Sequence, residues 1–391
     1  MMTLQMQKSP FTYRVRGGQV INTDVIRFYR SVPSYQVTPL YRLTNLAHQY
    51  GVGEISVKDE GQRFGLEAFK GTGGLYAMAQ YIASKAGLDP QNLTYDQLQT
   101  PAVRKLADQI TFYTVTDGNH GRGIAWAAKQ LGTHAVVNMP RGSQQVRAQH
   151  IRDLGAPCQI TDLNYDQVVK FTSDQADRDP HGILIQDMAW DDYRTIPTDI
   201  ADGYSIMADE FLHQLDQVPT HIFLQAGVGQ FSAGMINALI DALPQDQLPT
   251  ITIVEPAAVA CYYLSAEQAD GRPHTVPGSP QTIMAGLNCQ TPSAISWPVI
   301  RDTARFYGTL TDDVSAKGMR QLANPAGNDH AIVAGESGAA AFAFVNEVLS
   351  NPDYRDLRNT LGLDEDSQII VINTEGATDP VNYQRIINAN K

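Results

Sequence analysis

The sequence contains no apolar run of the roughly 18 residues that a transmembrane helix requires, and its polar first residues lack the hydrophobic core of a signal peptide. Basic residues are scarce, since 29 Lys and Arg stand against 41 Asp and Glu and the net charge is −12. Nucleic acids and anionic membranes bind basic surfaces, so we expect neither as a partner. A local group of backbone amides can still bind a phosphorylated cofactor.

Cysteines are also few. Cys158, Cys261 and Cys289 are far apart and form no C-x-x-C pair. Neither a zinc site nor a disulfide framework is indicated, and no metal site is predicted. A reducing cytoplasm is the expected location.

What the sequence does contain is an alternation of strand-like and helix-like segments over most of its 391 residues. The strand-like segments include Thr111–Val115, Ala135–Met139, His221–Gln225, Ile251–Val254 and Gln368–Ile372. This rhythm is typical of an α/β protein, and it predicts two open, mostly parallel twisted sheets with helices on both faces.

The chain is longer than one hydrophobic core usually supports, so two domains are expected. The segment from Leu88 to Gln109 is polar and reads as a connection between domains. One helix is predicted from about Thr198 to Leu215, before a second α/β block begins. We therefore predict a larger domain of residues 1–90 and 217–391 and a smaller domain of residues 91–216.

Lys70 is a candidate nucleophile. It stands between the apolar pair Ala68-Phe69 and a glycine-rich turn. An amine held against apolar side chains loses hydration, which favours its neutral, nucleophilic form. The alternative is a surface lysine whose stem covers Phe69.

Four turns follow predicted strands: Asp117–Gly121, Asp187, Gly227–Gly229 and Thr374–Gly376. In open α/β sheets ligands bind at the carboxyl ends of the strands. The sequence therefore predicts that these turns converge on one crevice.

The loop Gly227-Val228-Gly229 offers backbone amides and a helix N-terminus to an anion. A dinucleotide would require a third glycine where the chain has Ser232, although Glu255 could bind its ribose. A terminal phosphate requires only the short loop, and a tight turn without ligand is a further alternative. Together with an activated lysine, a phosphate loop fits pyridoxal phosphate.

The chain resembles the second fold type of pyridoxal-phosphate enzymes and, within it, the diaminopropionate ammonia-lyase family. The resemblance extends from about Pro39 to Tyr383. It is carried by Arg63–Lys70, Thr116–Gly123, Gln186–Trp190, Thr282–Leu287 and Thr374–Pro380, in addition to the glycine loop.

The resemblance implies an active site in the cleft between the two domains, with pyridoxal 5'-phosphate as cofactor. Lys70 is then the Schiff-base lysine, and the larger domain is the cofactor-binding one. The other implied cofactor-binding residues are Asn119 at the ring hydroxyl oxygen, Thr374 at the ring nitrogen, and Gly227, Val228, Gly229 and Gln230 at the phosphate.

The same resemblance implies a lyase that eliminates ammonia from both enantiomers of 2,3-diaminopropionate and yields pyruvate. Lys70 and Asp117 would be bases on opposite faces of the substrate, and Asp187 would hold its β-ammonium group. The amides of Gly118, Asn119 and His120 would bind its carboxylate, and a homodimer is expected.

Several alternatives stay open at this point. Asp117 could be an ordinary turn residue, and Asp187 could cap a helix. A serine or threonine dehydratase, a β-replacement enzyme, a non-catalytic binding protein and a nicotinamide-dependent oxidoreductase are the other functions considered. Two segments depart from the family pattern, since Gln230-Phe231 is bulkier and Gly71-Thr72 smaller than expected.

Overall fold

The computed structural model describes residues 3–15, 23–190 and 192–389. Its strands are β1 Leu4–Lys8, β2 Leu40–Arg42, β3 Glu54–Asp59, β4 Thr111–Val115, β5 His134–Met139, β6 Cys158–Ile160, β7 Gly182–Leu184, β8 His221–Gln225, β9 Thr250–Pro256, β10 Phe306–Leu310 and β11 Gln368–Asn373. Its helices are α1 Thr23–Ser31, α2 Thr44–Tyr50, α3 Lys70–Ala86, α4 Tyr95–Leu98, α5 Pro101–Ala107, α6 Asn119–Leu131, α7 Gln145–Arg152, α8 Tyr165–Arg178, α9 Thr195–Tyr204, α10 Ile206–Gln214, α11 Gln230–Ala242, α12 Cys261–Gln268, α13 Ser296–Thr303, α14 Asp312–Ala323, α15 Ala340–Ser350, α16 Arg355–Leu361 and α17 Pro380–Ile387. None of the helices within these described ranges is long and apolar enough to cross a membrane.

The larger sheet has seven strands in the order β1-β10-β9-β8-β11-β3-β2. Its central strands run parallel, and only the edge strands β1 and β2 pair antiparallel with their neighbours. Strands β8, β9 and β11 are almost wholly buried, as expected for parallel strands covered by helices. The main core lies between this sheet and helices that include α2, α14 and α15.

The smaller sheet has four strands in the order β6-β5-β4-β7, all parallel. The prediction of an α/β fold with two mostly parallel sheets is confirmed. Because β4 pairs with β7, the Asp117–Gly121 turn and Asp187 leave the same edge of this sheet. Because β8 pairs with β11, the glycine loop and Thr374 likewise leave one edge of the larger sheet.

The chain divides into two compact units at positions that differ from the predicted domain boundaries. The first unit comprises Met1–Gln19, Val37–Gln62 and Met207–Lys391, and the second comprises Val20–Gln36 and Arg63–Ile206. Lys70 lies in the smaller unit, where its helix α3 packs against α6 and α9. Its chain neighbour β3 stays in the larger sheet.

Two other expectations were wrong. The polar segment 88–109 is not a free connection, since it forms α4, which buries Leu98, and α5, which buries Val103, and both helices lie in the smaller unit. The single helix predicted from Thr198 to Leu215 is two helices, α9 and α10, that meet at Ser205. The chain passes from one unit to the other directly after this break.

Candidate active site

Lys70 is the first residue of α3, and glycines near it allow close helix packing. A Cβ at Gly73 would lie 2.8 Å from Ile200 Cγ2 on α9. A Cβ at Gly123 on α6 would lie 2.9 Å from the carbonyl carbon of Lys70. The backbone of Lys70 is therefore fixed between two helices that only glycine lets approach so closely.

The small residues after Lys70 have a structural explanation. A Cβ at Gly71 would lie 2.8 Å from Leu66 Cδ1, so a larger residue would displace the preceding turn. Thr72 is fully buried, and its hydroxyl donates to the Phe69 carbonyl at 2.8 Å. The departure from the family pattern at these two positions thus follows from packing within the smaller unit.

The amine of Lys70 is enclosed by aromatic rings and one carboxylate. Its Nζ lies 5.2 Å from the centroid of the Phe69 ring and 5.7 Å from that of Tyr204. It donates to Asp187 Oδ2 at 2.6 Å, and the side chain is only 16% exposed. The surface-lysine alternative is therefore not supported.

Asp187 follows β7 and serves as the anionic partner of Lys70. Burial alone would raise the pKa of the Asp187 carboxyl, but the charge of Lys70 and the hydrogen bond from Lys70 lower this pKa to about 2. The next helix, α9, begins only at Thr195, so Asp187 does not cap it. Asp187 is held as a carboxylate by its ion pair.

His120, the second residue of α6, is a buried neutral imidazole. Its Nε2 lies 3.2 Å from the Ile185 carbonyl oxygen, which can only accept, so Nε2 carries the proton. Burial lowers the pKa of His120, and Lys70 lowers it further against the opposing effect of Asp187. Nδ1 is then a bare acceptor that lies 3.9 Å from Asp187 Oδ2 and has no hydrogen-bond partner among the described residues.

The turn that carries Asp117 is tied to the start of α6 by Thr116. The Thr116 hydroxyl accepts hydrogen bonds from the amides of Gly118 at 2.8 Å and Gly121 at 3.1 Å. The Gly118 amide, expected to bind a substrate carboxylate, is thus already engaged. The amides of Asn119 and His120, in the first turn of α6, stay predicted donors to that carboxylate.

The Asp117 carboxyl itself is in an environment that opposes its ionisation. Burial raises the pKa of Asp117, the guanidinium of Arg147 lowers it, and nearby Asp187 raises it again. The smaller unit therefore brings together an amine, two carboxylates and a neutral imidazole, from Lys70, Asp117, Asp187 and His120.

The glycine loop of the larger unit is shaped by Tyr262. The Val228 carbonyl accepts from the Tyr262 hydroxyl at 2.9 Å and from the Ser293 amide at 3.0 Å. In a trans peptide the next N–H points the opposite way, so the Gly229 amide faces away from Tyr262. Gly229 has φ 92°, and a Cβ there would collide with the Tyr262 hydroxyl.

The first residues of α11 are anchored away from the loop. Gln230 is fully buried, and its Oε1 accepts from the Ser296 hydroxyl on α13. Phe231 is also buried, at 7% exposure. The bulky pair thus packs α11 onto its neighbours.

Glu255 is not arranged to bind a ribose. Its carboxylate accepts from the amides of Tyr262 at 2.8 Å and Tyr263 at 2.7 Å, and the side chain is 1% exposed. Burial raises the pKa of Glu255 to about 8. This geometry, together with Ser232 in place of a third glycine, does not support the dinucleotide alternative.

The Thr374 hydroxyl accepts a hydrogen bond from a neighbouring strand. Gln225 Nε2 donates to Thr374 Oγ1 at 3.0 Å, so this oxygen is an acceptor there and its own proton is available to donate. Thr374 follows β11 and Gln225 ends β8, which places the pair beside the glycine loop on one edge of the larger sheet.

The larger unit passes a fit test for pyridoxal phosphate. A Cβ at Gly229 would meet Tyr262, the loop leads directly into the N-terminus of α11, and it lies on the same edge of the sheet as a hydroxyl donor. These are the groups needed for a phosphate and a ring nitrogen.

Sequence reasoning missed three residues that shape the site. Tyr262 fixes the glycine loop, and Arg147 contacts the turn of Asp117. The Tyr193 hydroxyl accepts from the Gln186 amide at 2.8 Å and donates to the Leu184 carbonyl at 3.0 Å, which fixes the backbone just before Asp187. Their partners lie up to 34 residues away in the chain, and no local motif marks them.

Residues 32–375 match the family described as pyridoxal-phosphate dependent enzyme. The chain is 44% identical over 372 residues to the diaminopropionate ammonia-lyase of Salmonella typhimurium, covering 94% of this chain and 92% of the relative. It is 43% identical to the Escherichia coli K12 enzyme of the same name, covering 92% and 89% of the two chains.

Solved structures agree with these sequence matches. The holo diaminopropionate ammonia-lyase of Escherichia coli has a TM-score of 0.92 and 40% identity, over 99% of this chain and 97% of the other. The same enzyme with an aminoacrylate-PLP azomethine reaction intermediate has a TM-score of 0.89 and 39% identity, over 100% and 98% of the two chains. A threonine deaminase of Solanum lycopersicum, 18% identical with a TM-score of 0.73, shares the fold over 97% of this chain and 96% of its own.

Proposed function

Since the chain belongs to the pyridoxal-phosphate dependent enzymes and, among them, to the diaminopropionate ammonia-lyase family, we propose that it eliminates ammonia from 2,3-diaminopropionate. The substrate loses its α-proton and its β-amine, and the resulting 2-aminoacrylate hydrolyses to pyruvate and a second ammonia. The observation that carries the proposal is the grouping of one amine, Lys70, with two carboxylates, Asp117 and Asp187, in one compact unit. A substrate with two ammonium groups accounts for two acids better than serine does.

The family resemblance implies which residues would hold the cofactor. Lys70 would bind its aldehyde carbon, the amides of the loop Gly227–Gly229 and of Gln230 its phosphate, and Asn119 its ring oxygen. When bound, pyridoxal phosphate supplies an electron-withdrawing ring that stabilises negative charge at the substrate α-carbon. The Thr374 hydroxyl would donate to the ring nitrogen, and a neutral donor leaves that nitrogen unprotonated. This favours β-elimination over transamination.

The substrate would be oriented by three residues. The amides of Asn119 and His120, at the positive end of α6, would bind its carboxylate. The Asp187 carboxylate would hold its β-ammonium group, and His120 Nδ1 would accept one more hydrogen bond from it.

Proton transfer would use a base on each side of the α-carbon. Lys70 would accept the α-proton of one enantiomer, and Asp117 would accept that of the other from the opposite face. The pair of electrons from the broken C–H bond forms the carbon–carbon double bond. The β-nitrogen leaves with its own bonding pair as ammonia.

The experiment is a substrate panel followed by pyruvate detection. We expect purified enzyme supplied with pyridoxal phosphate to release pyruvate and two equivalents of ammonia from both enantiomers of 2,3-diaminopropionate. Serine, threonine and a β-substituted alanine should react more slowly. Preference for serine or threonine would favour the dehydratase alternative, and no product from any of them would favour a non-catalytic binding protein.

The resemblance also supports a cytoplasmic homodimer. Light scattering of the holoenzyme should give about twice the chain mass of 42.9 kDa. A monomeric mass would contradict the dimer and leave the proposed reaction unaffected.

A further inference from the structure

Arg147 on α7 lies against the turn that carries Asp117. Its Nη1 donates to the Asp117 carbonyl oxygen at 3.2 Å. Its stem crosses Gly118 so closely that a Cβ at that position would lie 2.9 Å from Arg147 Cδ. Gly118 also has φ 152°, a conformation that favours glycine. The missing side chain at Gly118 therefore allows Arg147 to approach the peptide bond between Asp117 and Gly118.

The charge of Arg147 acts on the side chain of the same aspartate. The positive charge of Arg147 lowers the pKa of the Asp117 carboxyl, and the negative charge of Asp187 raises this pKa. Asp187 is itself paired with Lys70, at 2.6 Å. Arg147 is thus the group that offsets the effects of burial and of the second carboxylate on Asp117.

Arg147 also has unused hydrogen-bonding capacity. Its Nε is buried and has no partner among residues 3–15, 23–190 and 192–389. A buried donor without an acceptor costs free energy, so packing alone gives no reason to keep an arginine here. The neighbouring Arg152, on the same helix, has its Nε satisfied by the Cys158 carbonyl at 2.9 Å.

We propose that Arg147 is a positioning residue that holds Asp117 in place and in its carboxylate form, so that turnover of the enantiomer that uses Asp117 depends on Arg147. The proposal rests on the function proposed above. In the step concerned, the Asp117 carboxylate takes the α-proton and becomes a carboxylic acid, while the electrons of the C–H bond form the double bond and ammonia leaves. Lys70 serves the other enantiomer, which does not depend on Arg147.

The test uses the full-length holoenzyme in four forms: wild type, Arg147→Gln, Arg147→Lys and the matched control Arg152→Gln. Steady-state rates for both enantiomers of 2,3-diaminopropionate are measured as a function of pH. A displaced catalytic group costs up to about a hundredfold in rate. We therefore expect Arg147→Gln to lose between about tenfold and about a hundredfold in kcat/KM for one enantiomer and less than about twofold for the other.

The pH profile separates positioning from general damage. Without the cation the pKa of Asp117 rises, so the acid limb for the affected enantiomer moves to higher pH in Arg147→Gln. Arg147→Lys keeps the positive charge. Its pH–rate profile should therefore have an acid limb close to that of wild type, and it should lose less rate than Arg147→Gln. Arg152→Gln should have the same kcat/KM as wild type for both enantiomers.

A second readout does not depend on turnover. Infrared difference spectra of the holoenzyme, with the Asp117 band assigned by its absence in Asp117→Asn, should show more protonated carboxylic acid in Arg147→Gln than in wild type at the same pH. Equal losses for both enantiomers, or an unchanged carboxyl band, would overturn the proposal. If Arg147→Gln fails to fold, the enantiomer selectivity of Arg147→Lys decides in the same way. A wild type that releases no pyruvate from either enantiomer would instead refute the proposed function.

Discussion

Replacing Asp187 by Asn should destabilise the cofactor-free protein by an amount that the structure sets. The Asp187 carboxyl is 15% exposed and lies 2.6 Å from Lys70 Nζ. Its pKa is about 2 against an ordinary value of 3.8. Each pKa unit corresponds to about 1.4 kcal/mol, so the loss at neutral pH is about 2 kcal/mol.

The sign of the pH dependence follows from the lowered pKa. A carboxyl whose folded-state pKa lies below its unfolded value contributes its full stabilisation above the unfolded pKa of 3.8. The contribution is lost as the pH falls through about 2. The difference between wild type and Asp187→Asn should therefore be constant from pH 7 to about 5 and shrink below about 4.

The assay is urea unfolding of the cofactor-free chain, followed by tryptophan fluorescence. Trp126 and Trp190 lie in the same unit as Asp187, and Trp297 lies in the other. A Trp297→Phe background therefore restricts the signal to the unit of interest. The control is Asp192→Asn, an exposed carboxylate in the same segment, which should change the free energy of unfolding by less than about 0.5 kcal/mol. A loss no larger than that of the control at pH 7, or one that grows as the pH falls, would refute the reasoning.

Three further substitutions test other parts of the site. Asp117→Asn should lose turnover of one enantiomer by about a hundredfold or more and largely spare the other, and equal losses would remove the two-base proposal. Gly229→Ala should weaken binding of pyridoxal phosphate at least about tenfold, since the added Cβ meets the Tyr262 hydroxyl at a positive φ, and an unchanged affinity in a cofactor titration would contradict the phosphate assignment. Tyr193→Phe keeps the ring but leaves the Gln186 amide without its acceptor. It should raise the KM for 2,3-diaminopropionate more than that for serine, and an equal change would argue against positioning of Asp187.

Local patterns were sufficient to predict the strands that lead into the candidate site and the turns that follow them. The turns at Asp117, Asp187, Gly227 and Thr374 were predicted because each follows a short apolar run with turn residues directly after it. These signals depend only on residues that are adjacent in the chain.

The contacts that complete the site depend on distant residues. Arg147, Tyr193 and Tyr262 act through hydrogen bonds to backbone carbonyls or amides, and any sequence offers such groups everywhere. The edge strand β1 was missed because it is short and polar, as exposed strands often are. The unit boundaries were misplaced because the polarity of residues 88–109 predicted a connection between domains, whereas α4 and α5 in this segment pack against α3.

The central claim is that Lys70 carries the cofactor, and one measurement tests it directly. The holoenzyme is reduced with borohydride, which makes the lysine–cofactor bond permanent, and its peptides are examined by mass spectrometry. We expect the pyridoxyl group on the peptide containing Lys70 and loss of the visible absorbance that the cofactor gives before reduction. A label on another lysine such as Lys58, or no label on protein saturated with pyridoxal phosphate, would contradict the account.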